Sequence, residues 1–311
     1  MIVVGGESLV DLIARTDQLS AVPGGGPYNV ARTVARLGRG CAYLGALSTD
    51  RFGTRLRGAL RDDGVDDAWA PYTEDPTTLA VAQIGDSGAA TYSFYVERTS
   101  AADLSPAQAL AVLAVKPTVL YVGTLGLVLE PAANSYEALV EAAAPEVLVA
   151  VDPNCRPAVV RDPEAYRARL ARVLARADVV KVSTEDLDYL TPGVDHVAGA
   201  QQLQDLGPPV VLLTDGARAV TVVAEGWHRV VPVPEVTVVD TVGAGDSFLG
   251  GVLAMWDALA LGRDELIDTE AVVAAVEFGI AVSAITCGRT GADPPRVDEL
   301  GPDLETVLSP R

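Results

Sequence analysis

The stretch VVDTVGAGDSFLGGV, residues 238–252, joins a tight turn to the beginning of an apolar helix. Its Gly-Ala-Gly segment, residues 243–245, allows a turn that larger side chains would obstruct. From Phe248 to Trp256 apolar residues recur at helical spacing, which predicts a buried helix beginning near Asp246. The first amides of a helix have no acceptor within it, so residues 243–246 are predicted to form a cradle for an anion.

Asp246 is unexpected in such a cradle, because its carboxylate would repel a bound anion. Its presence is explained if it accepts a proton from an attacking hydroxyl while the amides neutralise a transferring phosphoryl group. The alternative is that Asp246 only caps the helix, as aspartate commonly does. Short glycine motifs recur by chance, so the choice depends on the rest of the chain.

Short runs rich in Val, Leu and Ile recur along the chain without polar alternation, which is typical of parallel strands buried on both faces. These runs are residues 2–4, 41–47, 119–123, 147–151, 179–182 and 210–213. Stretches with helical spacing lie between them, most clearly residues 28–37, 54–61, 106–114, 134–143 and 163–176. The alternation predicts an α/β fold, a doubly wound and mostly parallel sheet within one domain spanning residues 1–311.

Two β-prone runs, residues 78–83 and 91–96, interrupt this alternation and predict a hairpin around IGDSGAA. With the early segments they predict a small β-sheet lid formed by about residues 9–22 and 72–98. The apolar face of such a lid needs covering, so we expect a homodimer formed through the lids. The segment PGVDHVAGA, residues 192–200, is expected to be a surface loop.

The composition excludes several classes of protein. A formal net charge of −19 argues against nucleic-acid binding and against an anionic membrane surface. The three cysteines are odd in number and far apart, and with two histidines they predict no zinc site and a reducing, cytoplasmic setting. The first residues lack the basic region of a signal peptide, and no uninterrupted apolar run of about 18 residues predicts a membrane span.

Several blocks of the sequence resemble the ribokinase-like (PfkB) carbohydrate kinases, in the family's order and over most of the chain. The blocks are GGGPYNVARTVARLG (24–38), LGALSTDRFGTRLRGALRDDGVD (44–66), VDPNCRP (151–157), VVKVSTED (179–186), VLLTDGARAV (211–220) and DTVGAGDSF (240–248). The resemblance is closest to the fructokinase-like members. It implies a ribokinase-like fold and the transfer of the γ-phosphoryl group of ATP to a hydroxymethyl group of a small sugar, with Mg²⁺ as the metal.

Carried over residue by residue, the resemblance assigns a role to each matching position. Asp246 becomes the base, assisted by the amides of Gly243, Ala244 and Gly245. The sugar is bound by Asp11, Gly25, Gly26, Asn29, Arg98, Arg156 and Asp246. ATP is bound by Asn154, Lys181, Ser183, Thr214, Gly216, Gly243 and Gly245, and Asp186 holds the metal through water. Taken alone, these positions also suit plainer roles, with Asn29 as a helix cap, Arg156 as a surface arginine and residues 214–216 as a turn.

The chain departs from the family pattern at two sites. Ser183-Thr184-Glu185-Asp186 stands where Asn-x-x-Glu is common, so the preferred metal is open to change. The monovalent-cation loop of some relatives is not legible in the sequence, which leaves dependence on K⁺ open.

The segment TYSFYVERTSAADLSP, residues 91–106, resembles the FY-x-E-x-TAD stretch of fructokinases. Kinases for 2-keto-3-deoxygluconate need an arginine here, where this chain has Glu97, although a shift of one residue offers Arg98. An acid facing a substrate carboxylate is unfavourable, so a neutral sugar is preferred. Fructose comes first, followed by ribose, a nucleoside and the keto-deoxy acid.

Proteins of other classes fit the sequence less well. A dehydrogenase would carry GxGxxG in a βαβ unit, and a P-loop NTPase would carry GK[ST]; neither motif is present. A non-catalytic sugar-binding protein with this fold would have no need to keep Asp246.

Overall fold

The computed structural model describes residues 1–15, 18–84 and 90–308. The strands are β1 (Ile2–Gly5), β2 (Leu9–Arg15), β3 (Gln18–Gly24), β4 (Cys41–Leu44), β5 (Leu47–Ser48), β6 (Tyr72–Thr73), β7 (Leu79–Ile84), β8 (Ala90–Tyr95), β9 (Val119–Gly123), β10 (Leu148–Asp152), β11 (Val179–Ser183), β12 (Val210–Thr214), β13 (Ala219–Ala224) and β14 (Trp227–Pro232). The α-helices are α1 (Gly26–Arg36), α2 (Arg51–Asp62), α3 (Pro106–Ala111), α4 (Ala132–Ala142), α5 (Pro163–Leu174), α6 (Thr184–Leu190), α7 (His196–Gln204), α8 (Ala244–Ala258), α9 (Thr269–Cys287) and α10 (Pro302–Leu308).

The main sheet is mostly parallel and is buried between two layers of helices. Among the described residues its eight strands run in the order β14-β13-β12-β11-β10-β9-β1-β4, and only β13 is antiparallel to its two neighbours, β12 and β14. Alternate side chains of β1 enter different cores, Val4 on the side of α1, α8 and α9, and Val3 on the side of α4 and α5. Burial on both faces explains the unbroken apolar runs, and the predicted doubly wound α/β fold is confirmed.

The strand order reverses at β1. From β1 the chain passes to β4 on one side, and β9 flanks β1 on the other side. In open α/β sheets, ligands bind in the crevice outside the carboxyl ends of the strands at such a reversal. The segments that follow β1 and β9 are therefore the expected walls of a ligand site.

A separate small sheet lies beside the main one, in the order β3-β2-β7-β8 within the described residues. β2 is antiparallel to β3 and parallel to β7, which forms the predicted hairpin with β8. The predicted turn of this hairpin, IGDSGAA, spans residues 84–90, of which residues 85–89 lie outside the described residues. The expected start of the lid at residue 72 is wrong, because β6 pairs with β5 and does not join this sheet.

Two local features differ from what the sequence pattern favours. Residues 192–200 are not all loop, since α7 begins at His196 and Asp195 accepts hydrogen bonds from the amides of Val197 and Ala198. Glycines and a proline suggested a loop, but an aspartate cap initiates a helix there. The valine run before Asp240 forms no strand, because the amides of Val239 and Asp240 donate to the carbonyl of Cys287.

Helix α9 qualifies the expectation of no membrane span. By length and composition alone it could cross a membrane, but half of its apolar window is buried inside the protein. Val276, Phe278 and Val282 lie in the core against α8. These side chains of α9 therefore belong to the protein core.

Candidate active site

The helix α8 begins earlier than predicted, at Ala244, with Gly243 as its N-cap. Gly243 has a φ of 76°, and a Cβ there would lie 2.5 Å from the Cβ of Ala292, so no other residue fits without strain. Asp246 is the third residue of the helix, and no side chain caps its N-terminus. The reading of Asp246 as a simple helix cap is therefore wrong.

The anion cradle at this helix end is smaller than predicted. The amide of Ala244 is not free, since it donates to the carbonyl of Thr241 at 3.2 Å. Within the described residues, no acceptor bonds the amides of Gly243, Gly245 and Asp246. Three donors therefore remain at the helix N-terminus, where the helix dipole also favours negative charge.

Asn29 and Asp246 join the N-terminal and C-terminal parts of the site. Asn29 is buried on α1, and its Nδ2 donates to Asp246 Oδ2 at 2.8 Å. Asn29 is not the cap of α1, which is Gly25. Its Oδ1 is buried and lacks a partner among the described residues, so it can still accept a hydrogen bond.

Burial raises the pKa of Asp246, while the hydrogen bond from Asn29 and the charges of Lys181 and Arg156 lower it less strongly. A carboxylate with a raised pKa holds a proton more readily near neutral pH. This suits a general base better than an ordinary aspartate would.

The backbone at Gly26 leaves space next to Asp246. A Cβ at Gly26 would lie 3.3 Å from Asp246 Oδ1, 3.5 Å from Asn154 Nδ2 and 2.7 Å from the Thr124 methyl group. Any side chain at Gly26 would fill this space. The missing side chain thus leaves room for a ligand atom within reach of both polar groups.

Asp11 on β2 belongs to the same charge cluster. Its pKa is raised from 3.8 to about 6, mainly by burial and also by the charge of Asp246, while the charge of Arg156 lowers it. The three side chains are therefore close enough to interact electrostatically. The structure brings the predicted sugar residues on β2, α1 and α8 to one end of the crevice.

The loop after β10 holds Asn154 and Arg156. Asn154 adopts a φ of 37°, and its amide donates to Asp152 Oδ1 at 3.1 Å. Arg156 is bonded within the same loop, since its NH1 donates to Asn154 Oδ1 at 2.7 Å and to the backbone carbonyls of Asn154 and Cys155.

The partner of Asp152 is Lys181, on the neighbouring strand β11. Lys181 Nζ lies 3.1 Å from Asp152 Oδ2, and both side chains are buried. Burial lowers the pKa of Lys181, but the charges of Asp152, Asp186 and Asp246 outweigh it, so the pKa is raised. Lys181 Nζ would lie 3.2 Å from a Cβ at Gly245, which places its charge beside the anion cradle.

Asp186 is positioned differently from a metal ligand. It is 3% exposed, and its oxygens accept hydrogen bonds from the amide and hydroxyl of Ser183 and from the amide of Cys155. In the described part of the chain, no group of three or more His, Cys, Asp or Glu residues is arranged to hold a metal. A metal ion that is held mainly by substrate phosphates and water needs no such group.

The remaining predicted residues lie at the same edge or on the small sheet. Thr214 ends β12, where its hydroxyl donates to the carbonyl of Val182 at 3.3 Å, and Gly216 lies in the following turn with a φ of 52°. Glu97 is exposed and pairs with Arg161. Arg98 is also exposed, and no hydrogen bond joins it to Asp11 or Asp246 in the described residues, so its contact with the sugar stays a prediction.

Sequence reasoning overlooked two residues beside the crevice, Glu7 and Thr124. Glu7 is part of the segment GGE that follows the first strand, but nothing in the sequence indicated that its side chain is buried. Thr124 has a φ of 53°, which is rare for a β-branched residue and has no signal in the sequence.

Comparison with known proteins agrees with this architecture. A family model described as pfkB family carbohydrate kinase matches residues 1–299. A fructokinase from Rhizobium leguminosarum bv. trifolii is 33% identical over 301 residues, which cover 95% of this chain and 88% of the relative. A fructokinase from Xylella fastidiosa with bound ATP has a TM-score of 0.86 at 30% identity, covering 94% of this chain and 93% of that one. A fructokinase from Vibrio cholerae O395 with fructose, ADP and calcium bound has a TM-score of 0.81 at 27% identity, covering 94% of each chain.

Proposed function

Because the chain belongs to the pfkB family of carbohydrate kinases, we propose that it is an ATP-dependent kinase that phosphorylates a hydroxymethyl group of fructose. The observation that carries the proposal is the place of Asp246, which follows the free amides of the α8 N-terminus and accepts a hydrogen bond from Asn29. The fructokinases among its relatives support fructose as the sugar.

In the proposed reaction, Asp11 and Asn29 Oδ1 accept hydrogen bonds from sugar hydroxyls, and the sugar packs against the backbone of Gly26. Asp246 takes the proton of the attacking sugar hydroxyl while the oxygen of that hydroxyl bonds to the γ-phosphorus. The bond from the γ-phosphorus to the leaving oxygen of ADP breaks at the same time. The amides of Gly243 and Gly245, with Lys181 beside them, neutralise the charge that develops on the transferring group.

The nucleotide is proposed to lie along the ends of β11 and β12, over Ser183, Thr214 and Gly216. When bound, Mg²⁺ neutralises charge on the phosphates of ATP. Glu185 is an exposed carboxylate in the first turn of α6 and would accept hydrogen bonds from water bound to the metal. Asp186 lies behind it and holds that turn in place through its bonds to Ser183.

The test is ADP release by the purified protein over a panel of fructose, ribose, a nucleoside and 2-keto-3-deoxygluconate. We expect the highest kcat/KM with fructose. A preference for the keto-deoxy acid would reassign the substrate, and no ADP release with any acceptor would favour a non-catalytic binding protein. The same assay in potassium and in sodium salts decides whether K⁺ is needed.

Replacing Asp11 with asparagine should weaken sugar binding and stabilise the empty protein. Loss of hydrogen bonds to a charged group should raise KM for the sugar at least about tenfold. The pKa of Asp11 is raised from 3.8 to about 6, so above pH 6 the native state bears the cost of an ionised buried carboxylate.

The variant should therefore be more stable at pH 8 by about 1–2 kcal/mol, allowing for partial exposure, and this gain should shrink as the pH falls from 6 to 4. Urea unfolding of the variant and the wild type at pH 8 and at pH 4 measures this gain in stability. Asp103→Asn, at an exposed acid, is the control. An Asp11→Asn protein with lower stability and unchanged KM would make Asp11 a structural residue.

We also propose a homodimer formed through the small sheets, in a cytoplasmic setting. Leu19 on β3 and Tyr95 on β8 are 69% and 60% exposed, and both lie on edge strands of that sheet. Sedimentation should give a dimer for the wild type and a monomer for Leu19→Glu, with Leu206→Glu as an exposed control elsewhere. A monomeric wild type would reject the dimer.

The three unpaired cysteines support a reducing compartment.

A further inference from the structure

Glu7 is a buried acid that bonds two separate segments of the chain. Its side chain follows β1 at the reversal of the strand order and is 3% exposed. Oε1 accepts a hydrogen bond from the Gly26 amide at 3.2 Å, and Oε2 accepts from the Gly126 amide at 3.3 Å and from the Thr124 hydroxyl. Gly26 begins α1, and the other two residues form the turn after β9.

Glu7 has no cationic partner within the described residues, which is unusual for a buried carboxylate. Its pKa is raised to about 7, because burial raises it more strongly than the bonds from Thr124, Gly126 and Gly26 lower it. Hydrogen bonds therefore take the place of an ion pair. Through these hydrogen bonds, Glu7 connects the start of α1, on one side of the crevice, to the turn after β9, on the other side.

The bond to Glu7 also determines how Thr124 meets the crevice. The backbone of Thr124 is in the left-handed region, with a φ of 53°. Since its hydroxyl points to Glu7, its methyl group points to Gly26 and would lie 2.7 Å from a Cβ there. The same space borders Asp246 Oδ1.

We infer that Glu7 is a positioning residue for the sugar, because it holds Gly26 and Thr124, the two walls of the crevice, at a set distance beside Asp246. The inference rests on the proposed function. Glu7 does not contact the sugar itself, and it acts through the groups that do. Its loss should therefore affect KM for the sugar far more than KM for ATP.

The test compares Glu7→Gln, Thr124→Val and Thr124→Ser by KM for fructose, KM for ATP, kcat and melting temperature. A hydrogen bond to a charged group corresponds to about 10- to 100-fold in binding, so Glu7→Gln and Thr124→Val should raise KM for fructose by that factor. KM for ATP should stay within about twofold. Thr124→Ser keeps the hydroxyl that bonds Glu7 and should raise KM for fructose much less than Thr124→Val does.

The double variant of Glu7→Gln and Thr124→Val should lose less than the sum of the two single effects, because both variants affect the bond between Glu7 and Thr124. Glu225→Gln, an exposed glutamate in the β13–β14 turn, is the control. If Glu7→Gln does not fold, the two Thr124 variants test the bond from its other side.

Additive effects, equal changes in both KM values, or a lower melting temperature alone would overturn the positioning role. An inactive wild type would overturn the proposed function and this inference together. An active wild type with an unchanged KM in Glu7→Gln would overturn only the inference.

Discussion

Replacing Asp246 with asparagine will leave a folded protein that binds both substrates and turns over about 10²–10⁴ times more slowly. Asparagine has the size of aspartate and can present its carbonyl oxygen to Asn29 Nδ2, which now bonds Asp246 Oδ2 at 2.8 Å. It cannot take the proton of the sugar hydroxyl. The loss should therefore appear in kcat, with modest changes in the affinities for sugar and ATP.

The control for this variant is Asp162→Asn, at an aspartate that does cap a helix. Asp162 accepts hydrogen bonds from the amides of Glu164 and Ala165 at the start of α5, and asparagine caps almost as well. That variant should keep full activity. If purified Asp246→Asn melts normally and retains activity within about fivefold of the wild type, Asp246 is not the base.

Replacing Lys181 with methionine will lower the free energy of unfolding by about 3–5 kcal/mol at pH 8, because it leaves the buried carboxylate of Asp152 without its cation. Burial raises the pKa of Asp152 to about 6 even with Lys181 opposing it. Without Lys181 that pKa rises further. The ionised form is then disfavoured in the native state over a wider range of pH.

The sign of the pH effect follows from this raised pKa. Above it, the native variant bears the full cost of a buried unpaired charge. Below it, native Asp152 takes up a proton, and the cost shrinks as the pH falls toward 3.8, the ordinary pKa of an aspartate. The loss measured by urea unfolding should thus be large at pH 8 and smaller at pH 5.

The chain contains a matched control in its other lysine, the exposed Lys116, whose replacement by methionine should change stability by less than about 0.5 kcal/mol. Adding Asp152→Asn to the Lys181 variant should restore much of the loss. A loss that is the same at pH 5 and pH 8 would show that Lys181 stabilises the fold by packing and not by its charge.

The sequence by itself determined the elements that depend on local composition. The run at residues 119–123 is β9 with the predicted bounds, because a strand buried on both faces needs only a short apolar segment. The glycine turn before Asp246 was equally legible, since a left-handed backbone at Gly243 requires glycine. The family and its type of reaction followed from such local blocks in order.

Local pattern was a poorer guide where a nearby bond decided the outcome. Helix α7 begins within residues expected to be a loop, because Asp195 caps it. The amide of Ala244, expected to be free, is bonded by Thr241. In both cases hydrogen bonds between residues two or three positions apart outweighed composition.

Only the tertiary structure decided which distant residues meet. Glu7 and Thr124 are joined because β1 and β9 are neighbours at the reversal of the strand order, and Lys181 meets Asp152 because β11 follows β10 in the sheet. Asn29 reaches Asp246 through the packing of α1 on α8. The order of strands and the packing of helices are properties of the whole chain, since they come from burying every apolar run at once. The residues next to a given position in the sequence therefore do not predict which side chain it will contact across the crevice.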